Sequence, residues 1–148
     1  MKELSLADLA REFSAAGPHI HTALEVGLKA VAEEIEHTAK EEIGTYQPGV
    51  GPFNAWDELA ESTKADRVRQ GYSEDDPLLR SGELRDSVSH RVMGLAAVIG
   101  STDDKAVWQE YGTEKIPPRP FIGPAYVKSF HKITEMVGFA VLKGFKVR

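Results

Sequence analysis

Residues 108–125 read WQEYGTEKIPPRPFIGPA, and the order of elements along the chain turns on this stretch. It opens as a helical turn, stops at Gly112-Thr113, and continues as an arm holding Pro117, Pro118 and Pro120. Each proline fixes φ at about −65° and removes a backbone donor, so the arm is expected to be stiff and extended. Arg119 and Phe121 project from a backbone with little entropy left to lose, which suits docking against a preformed surface. A rigid connector between two elements of one core is the plainer use of the same stiffness. The stretch closes in Phe121-Ile122-Gly123-Pro124, with Gly123 placed to cap a last helix and Pro124 to begin it.

Outward from this stretch the periodicities are clear. On the C-terminal side Tyr126, Phe130, Ile133, Val137 and Val141 recur at helical spacing and read as the apolar stripe of a long helix. Lys143, Lys146 and Arg148 form its basic end, where cations favour a helix C-terminus. On the N-terminal side Val88, His90 and Val92 alternate with Ser89, Arg91 and Met93, a period of two. Gly94 breaks the run and residues 95–101 return as the second strand of a hairpin. A short helical turn over residues 78–87 feeds this hairpin, and Asp103 or Asp104 caps the turn that carries Val107, Trp108 and Tyr111.

The first half is helical. Ser5 and Asp8 make a capping box ahead of Leu6, Leu9 and Phe13, a short helix expected to end before Gly17. Gly17-Pro18 then opens a second, long helix whose stripe is Ile20, Leu24, Leu28, Val31, Ile35, Ala39 and Ile43, closed by Gly44 at C′. Residues 45–54, TYQPGVGPFN, have turn chemistry without periodicity and read as a flexible loop. Trp56 and Leu59 anchor the chain back onto the core, Ser62 caps a helix with Lys64 and Arg67, and residues 71–77 form a polar turn.

The expected fold is therefore α+β in one domain, 1–148. Two long helices pack on a small antiparallel sheet built around the hairpin, with short connecting helices. Its parts are a short N-terminal helix (1–16), a long helix (18–44), a loop (45–55) and the remainder (56–148). A two-stranded sheet is marginal alone, so further strands are sought in the 45–53 loop, in the proline arm or in neighbouring subunits.

Composition bounds the chemistry. With 148 residues, 41% hydrophobic and 28% charged, the chain can bury a core without staples. It has no cysteine, which removes disulfides, thiolate metal sites and cysteine nucleophiles. No apolar run reaches the roughly 20 residues needed to cross a bilayer, and the N-terminus lacks a signal-peptide core, so folding in a cytoplasm is expected. The net charge of −5 divides unevenly: residues 1–76 hold sixteen acids against seven bases, a balance of −9, and residues 77–148 seven acids against eleven bases, a balance of +4. Opposite halves either neutralise each other internally or let one copy meet the next head to tail.

No arrangement of reactive residues stands out. His19 and His21 lie two apart at a helix start and diverge; His37 and His131 lie off their helices' stripes, and His90 reads as a half-buried strand residue. Asp75-Asp76 and Asp103-Asp104 lack the spaced oxygens of a calcium loop. No serine sits in a G-x-S-x-G elbow, and Gly49-Val50-Gly51 does not complete a phosphate-binding loop. The expectation is a protein that is not an enzyme, with no catalytic residues, metal or cofactor.

Four blocks carry a resemblance. They are W-x-x-L with S-T-x-x-x-R from Trp56, then PLLRSGELRDSV from Pro77, then WQEYGT from Trp108, then PPRPFIGPA from Pro117. In this order they resemble the tail-completion and head–tail joining proteins of tailed bacteriophages and prophages, minor tail components or virion morphogenesis proteins. The likeness covers residues 56–125. It implies a small α+β structural protein that assembles as a ring, commonly a hexamer, at the tail terminus or neck. Its partners would be other copies, the neck or connector proteins and the tail-tube proteins, with DNA only passing through the lumen and no membrane. The implied location is the virion, assembled in the bacterial host cytoplasm.

The resemblance also orders the candidate residues. Glu110, Tyr111, Gly112 and Thr113 match its E-Y-G-T block, and Gly112 is expected to take positive φ. Arg80, Gly82, Leu84 and Arg85 match the R-S-G-E-L-R block, either as an inter-subunit ion-pair site or as a helix start with core packing. Arg119, Pro120 and Phe121 are the leading candidates for subunit contact. A small monomeric adaptor or other protein-binding module is the rival reading.

Overall fold

A computed structural model describes residues 5–146. In chain order the elements are α1 (Leu6–Glu42), α2 (Glu61–Arg69), α3 (Glu83–Ser87), β1 (Val88–Met93), β2 (Ala96–Ser101), α4 (Lys105–Tyr111) and α5 (Ile122–Lys146). The fold is α+β: α1 and α5 pack together, with the β1–β2 hairpin and the short helices beside them. Arg148, assigned above to a basic helix end, lies outside the described residues.

α1 begins as its sequence dictates. The Ser5 hydroxyl accepts the Asp8 N–H at 3.2 Å, and the Asp8 carboxylate accepts the Ser5 N–H at 3.3 Å. The expected break at Gly17-Pro18 does not occur. One helix of 37 residues, about 55 Å long, runs through Pro18. Its continuity has a tertiary cause, because α5 packs on both sides of the proline. Phe13 meets Phe145 edge-on at 5.1 Å before it, and Ile20 lies against Gly144 after it. These contacts offset the lost hydrogen bond and the ring clash that normally end a helix at proline. The helix ends as expected, with Ile43 as C-cap and Gly44 at φ 105°.

α1 and α5 run antiparallel, as their partners show: Phe13 lies by Phe145, Gly27 by Met136, Glu34 by Lys132 and Glu42 by Lys128. On the α5 side of this seam the fully buried residues Ala125, Ser129, Ala140 and Gly144 are small, and Ile133 and Met136 pack partly buried among them. Glycines make room in the same seam, Gly27 for Met136 and Gly144 for Ile20.

β1 and β2 pair antiparallel from Val88↔Ser101 to Met93↔Ala96, leaving Gly94-Leu95 as the turn. Among the described residues the sheet has two strands. The 45–53 segment adds only an isolated bridge between Val50 and Phe53, and the Trp56 N–H donates to Gln47 O at 3.0 Å, so this loop closes on itself. The core gathers Val31, Ile35, Ala39 and Ile43 of α1 with Trp56, Leu84, Val88, Ala106, Phe121 and Ala125. Ser62 does not cap α2: Ala60 occupies the N-cap position without a side-chain bond, and Ser62 lies inside the helix.

Candidate functional site

The four blocks converge on the root of α5. Trp56 is buried and its indole N–H donates to Pro120 O at 2.9 Å. Arg119 is 5% exposed; its guanidinium donates to Asp57 O and Glu58 O, three bonds of 2.9–3.1 Å. The Arg119 N–H also bonds Gln109 O at 2.6 Å. Phe121 is 0% exposed, at the centre of the core, and Pro120 is buried beside it. The arm is therefore a connector whose side chains serve this chain. That corrects the expectation for Arg119, Pro120 and Phe121: burial puts all three out of a partner's reach.

Glu110 has an internal task as well. Its carboxylate accepts the N–H groups of Phe121 at 2.9 Å, Ile122 at 3.1 Å and Gly123 at 2.7 Å. These are the orphan donors of the first turn of α5, and a carboxylate there also meets the positive end of the helix dipole. The cap is thus a side chain from α4. Gly123 and Pro124 lie inside the first turn of a helix that starts at Ile122. A Cβ on Gly123 would fall 2.4 Å from the Phe53 ring, which explains a glycine there.

Gly112 ends α4 with φ 75°, and any Cβ would lie 3.0 Å from Ile116 O and from Pro118. Gly82 is the N-cap of α3 with φ 91°. Both keep the structural roles expected of them. Arg80 remains at the surface, paired with Asp66 at 2.9 Å and over the Tyr72 ring at 5.2 Å. The Arg80 guanidinium holds the Asp66 carboxyl below its usual range, with Arg69 adding to the effect. Arg85 is exposed beside Asp86, and Tyr111 is 80% exposed. Of the candidates for contact, Arg80, Arg85 and Tyr111 are the ones in solvent.

Two residues missed by pattern reading organise the rest. Arg67 is 4% exposed and donates to Ser73 O, Asp76 O and Leu79 O, gathering the 73–79 turn around one guanidinium. The same turn holds Leu78 at φ 64°, a strained value for a branched side chain. Glu42 is 3% exposed: Oε1 accepts Lys128 Nζ at 2.7 Å, and Oε2 has no hydrogen-bond partner among the described residues. Burial pushes the Glu42 carboxyl above its usual range, against the pull of Lys128. On the same helix Glu36 joins Lys40 and His90, which hold it below the usual range, and Lys132 does the same for Glu34.

The open surfaces of the described residues include two clefts and an apolar stripe. A cleft of about 640 Å³ lies between the 58–63 segment, the Leu78–Leu84 turn and the proline arm; Arg80, Lys105 and Lys115 line it opposite Glu58 and Glu83. A smaller groove of about 290 Å³ lies between α1 and α5, lined by Ala23, Val26, Gly27, Met136, Phe139 and Lys143. The third is the stripe read above as the core face of α5. Only Ile133 of that stripe packs on the core; Phe130 is 57% exposed, and Tyr126, Val137 and Val141 are also in solvent. The expectation for this face is corrected because the small-residue row took the seam with α1.

Among the described residues no group of three or more histidine or acidic side chains is placed to hold a metal ion. Among the same residues no helix is long and apolar enough to cross a membrane. Compared with protein-family models, with curated proteins and with solved structures, the chain has no significant match.

Proposed function

We propose that this chain is a non-enzymatic structural protein of a phage or prophage virion. It forms a homo-oligomeric ring, hexameric as the resemblance implies, at the neck or tail terminus. There it completes the tail and joins it to the capsid, between connector and tail-tube proteins. The observation that carries the reading is the aromatic and aliphatic stripe of α5, which the isolated chain leaves in solvent. Contiguous apolar surface of this kind marks a place where another protein sits.

The blocks behind the resemblance support the reading in an indirect way. Trp56, Glu110, Arg119 and Phe121 bind one another's segments and fix the root of α5, so they set the direction in which the stripe is presented. The acidic surface of α1 suits a lumen through which DNA slides, since like charge repels the phosphates. The test is inactivation of the gene in its native genome, followed by electron microscopy of the lysate. Separated heads and tails, or overlong tails, are the expected products. Intact infectious particles at normal titre would overturn the proposal.

A further inference from the structure

Arg67 and Arg119 are buried cations whose guanidinium partners, among the described residues, are all main-chain carbonyls. Carbonyl dipoles solvate a charge without cancelling it, so a buried cation is ordinarily given a carboxylate as well. In both residues Nε and Nη2 make these bonds. Nη1 makes none, and in neither residue is it one of the unpartnered atoms sealed from solvent. Both residues line the cleft of about 640 Å³ beside the proline arm, which is the opening that reaches them.

The lining of this cleft holds five cations against two acids, a net +3. Its other charges pair off: Arg80 meets Asp66, Lys105 meets Glu83 at 3.6 Å, and Glu58 meets Lys64 at 3.9 Å. Lys115, Arg67 and Arg119 are left without a carboxylate among the described residues. Gln109 lines the same cleft with a side-chain amide that makes no hydrogen bond there, and its Oε1 is buried. Rotation about the broad terminal torsion turns either end of that amide toward a ligand. Leu59, Leu84, Ile116 and Pro117 give the cleft apolar walls.

We propose that this cleft binds the C-terminal end of another protein's chain, with an apolar last residue. The terminal carboxylate meets the open guanidinium edges and Lys115, the last peptide group bonds the Gln109 amide, and the apolar side chain lies on the walls. A bare oxyanion would leave the walls and Gln109 unused, and the rim acids Glu58 and Glu83 oppose a polyanion such as nucleic acid. The volume is that of a site for a drug-sized body, which a few residues of peptide fill. None of the stripe residues of α5 lines this cleft, and the inference stands without the assembly reading.

The test titrates the isotope-labelled full chain with a pool of N-acetylated tripeptides ending in leucine, isoleucine, valine or phenylalanine, each with a free carboxylate. The same pool as C-terminal amides, and inorganic phosphate, are the comparison probes. Saturable shifts of the Gln109 side-chain amide and the Lys115 main-chain signals are expected below about 1 mM acid. The amides should bind at least about tenfold more weakly, having lost the charge-assisted contact. Lys115 is exposed and unpaired, so Lys115→Glu should leave the circular-dichroism melt unchanged and weaken the acids about tenfold. Lys115→Arg, which keeps the charge, should bind as the parent does.

Absence of a saturable shift at these signals up to about 10 mM of the acid pool would overturn the proposal. Equal binding of the amides would reduce the cleft to an apolar groove, and phosphate binding as tightly as the peptides would reduce it to a bare anion site; either result overturns it. Undiminished binding to Lys115→Glu would place the carboxylate outside this cleft and do the same. None of these results bears on the ring, which the lysate experiment tests separately.

Discussion

Glu110 on α4 and Gly123 on α5 are joined by a 2.7 Å hydrogen bond from the Gly123 N–H to the Glu110 carboxylate. With the Phe121 and Ile122 N–H groups on the same carboxylate, this one side chain caps the long C-terminal helix. Glu110→Ala leaves three donors without a partner in a part-buried site and is expected to cost about 3 kcal/mol. Glu110→Gln, which keeps one acceptor oxygen, should cost about half of that. Chemical denaturation of both variants checks the order, and equal losses would show that the acceptor oxygens are not what the site uses.

Arg119→Ala strips the Asp57 and Glu58 carbonyls of their donor and removes a buried side chain. A loss of about 3 kcal/mol is expected, and Arg119→Lys should not restore it because an ammonium cannot span both carbonyls as a fork does. Thermal melting of the monomer reads the effect. A protein that keeps its melting point with alanine at 119 would return this arginine to the role of a surface contact.

Gly17 and Pro18 sit inside a continuous helix, where they are the two least favourable residues by propensity. A Cβ at Gly17 meets nothing within 4 Å. Gly17→Ala with Pro18→Ala is expected to stabilise the chain by about 2–4 kcal/mol and to raise helical ellipticity. Loss of stability would mean that the ring of Pro18 packs usefully or that the chain needs a bend there.

The carboxylates respond to pH in opposite senses. Glu34, Glu36 and Asp66 have folded pKa values depressed by their lysine, histidine and arginine partners. Their contribution is present above the unfolded pKa and is lost as pH falls through the folded values, below the usual carboxylate range. Glu42 is raised by burial, so its charge is a cost at neutral pH that is relieved as pH falls through a value above that range. Glu42→Gln is accordingly expected to gain stability relative to the parent at pH 7, and the advantage should shrink as pH falls. Urea midpoints of the two proteins from pH 7 to pH 4 would show it. An advantage that grows with acid would reverse the assignment.

The local reading of the chain succeeded where partners lie within a few residues. The Ser5–Asp8 box, the Gly44 and Gly112 stops, the alternation of Val88, His90 and Val92 and the hairpin turn at Gly94 are all present. Each depends on backbone geometry or side-chain spacing that a short window contains. Arg67 escaped, and Glu110 was read as a contact residue and not as a cap, because their partners were carbonyls and amides, which carry no sequence label, six or more residues away.

Sequence alone determined that this is an α+β chain with two long helices and one hairpin, since period and turn chemistry are local properties. Tertiary structure decided which face of each helix is inside. Tyr126, Phe130, Val137 and Val141 are apolar enough to be a core stripe, yet the neighbouring row of Ala125, Ser129, Ile133, Met136, Ala140 and Gly144 took the seam with α1. Likewise Pro18 ends a helix in isolation but not between Phe145 and Gly144 of a packed neighbour. Burial is a competition among faces for one partner, and its outcome rests on shapes brought together from distant parts of the chain.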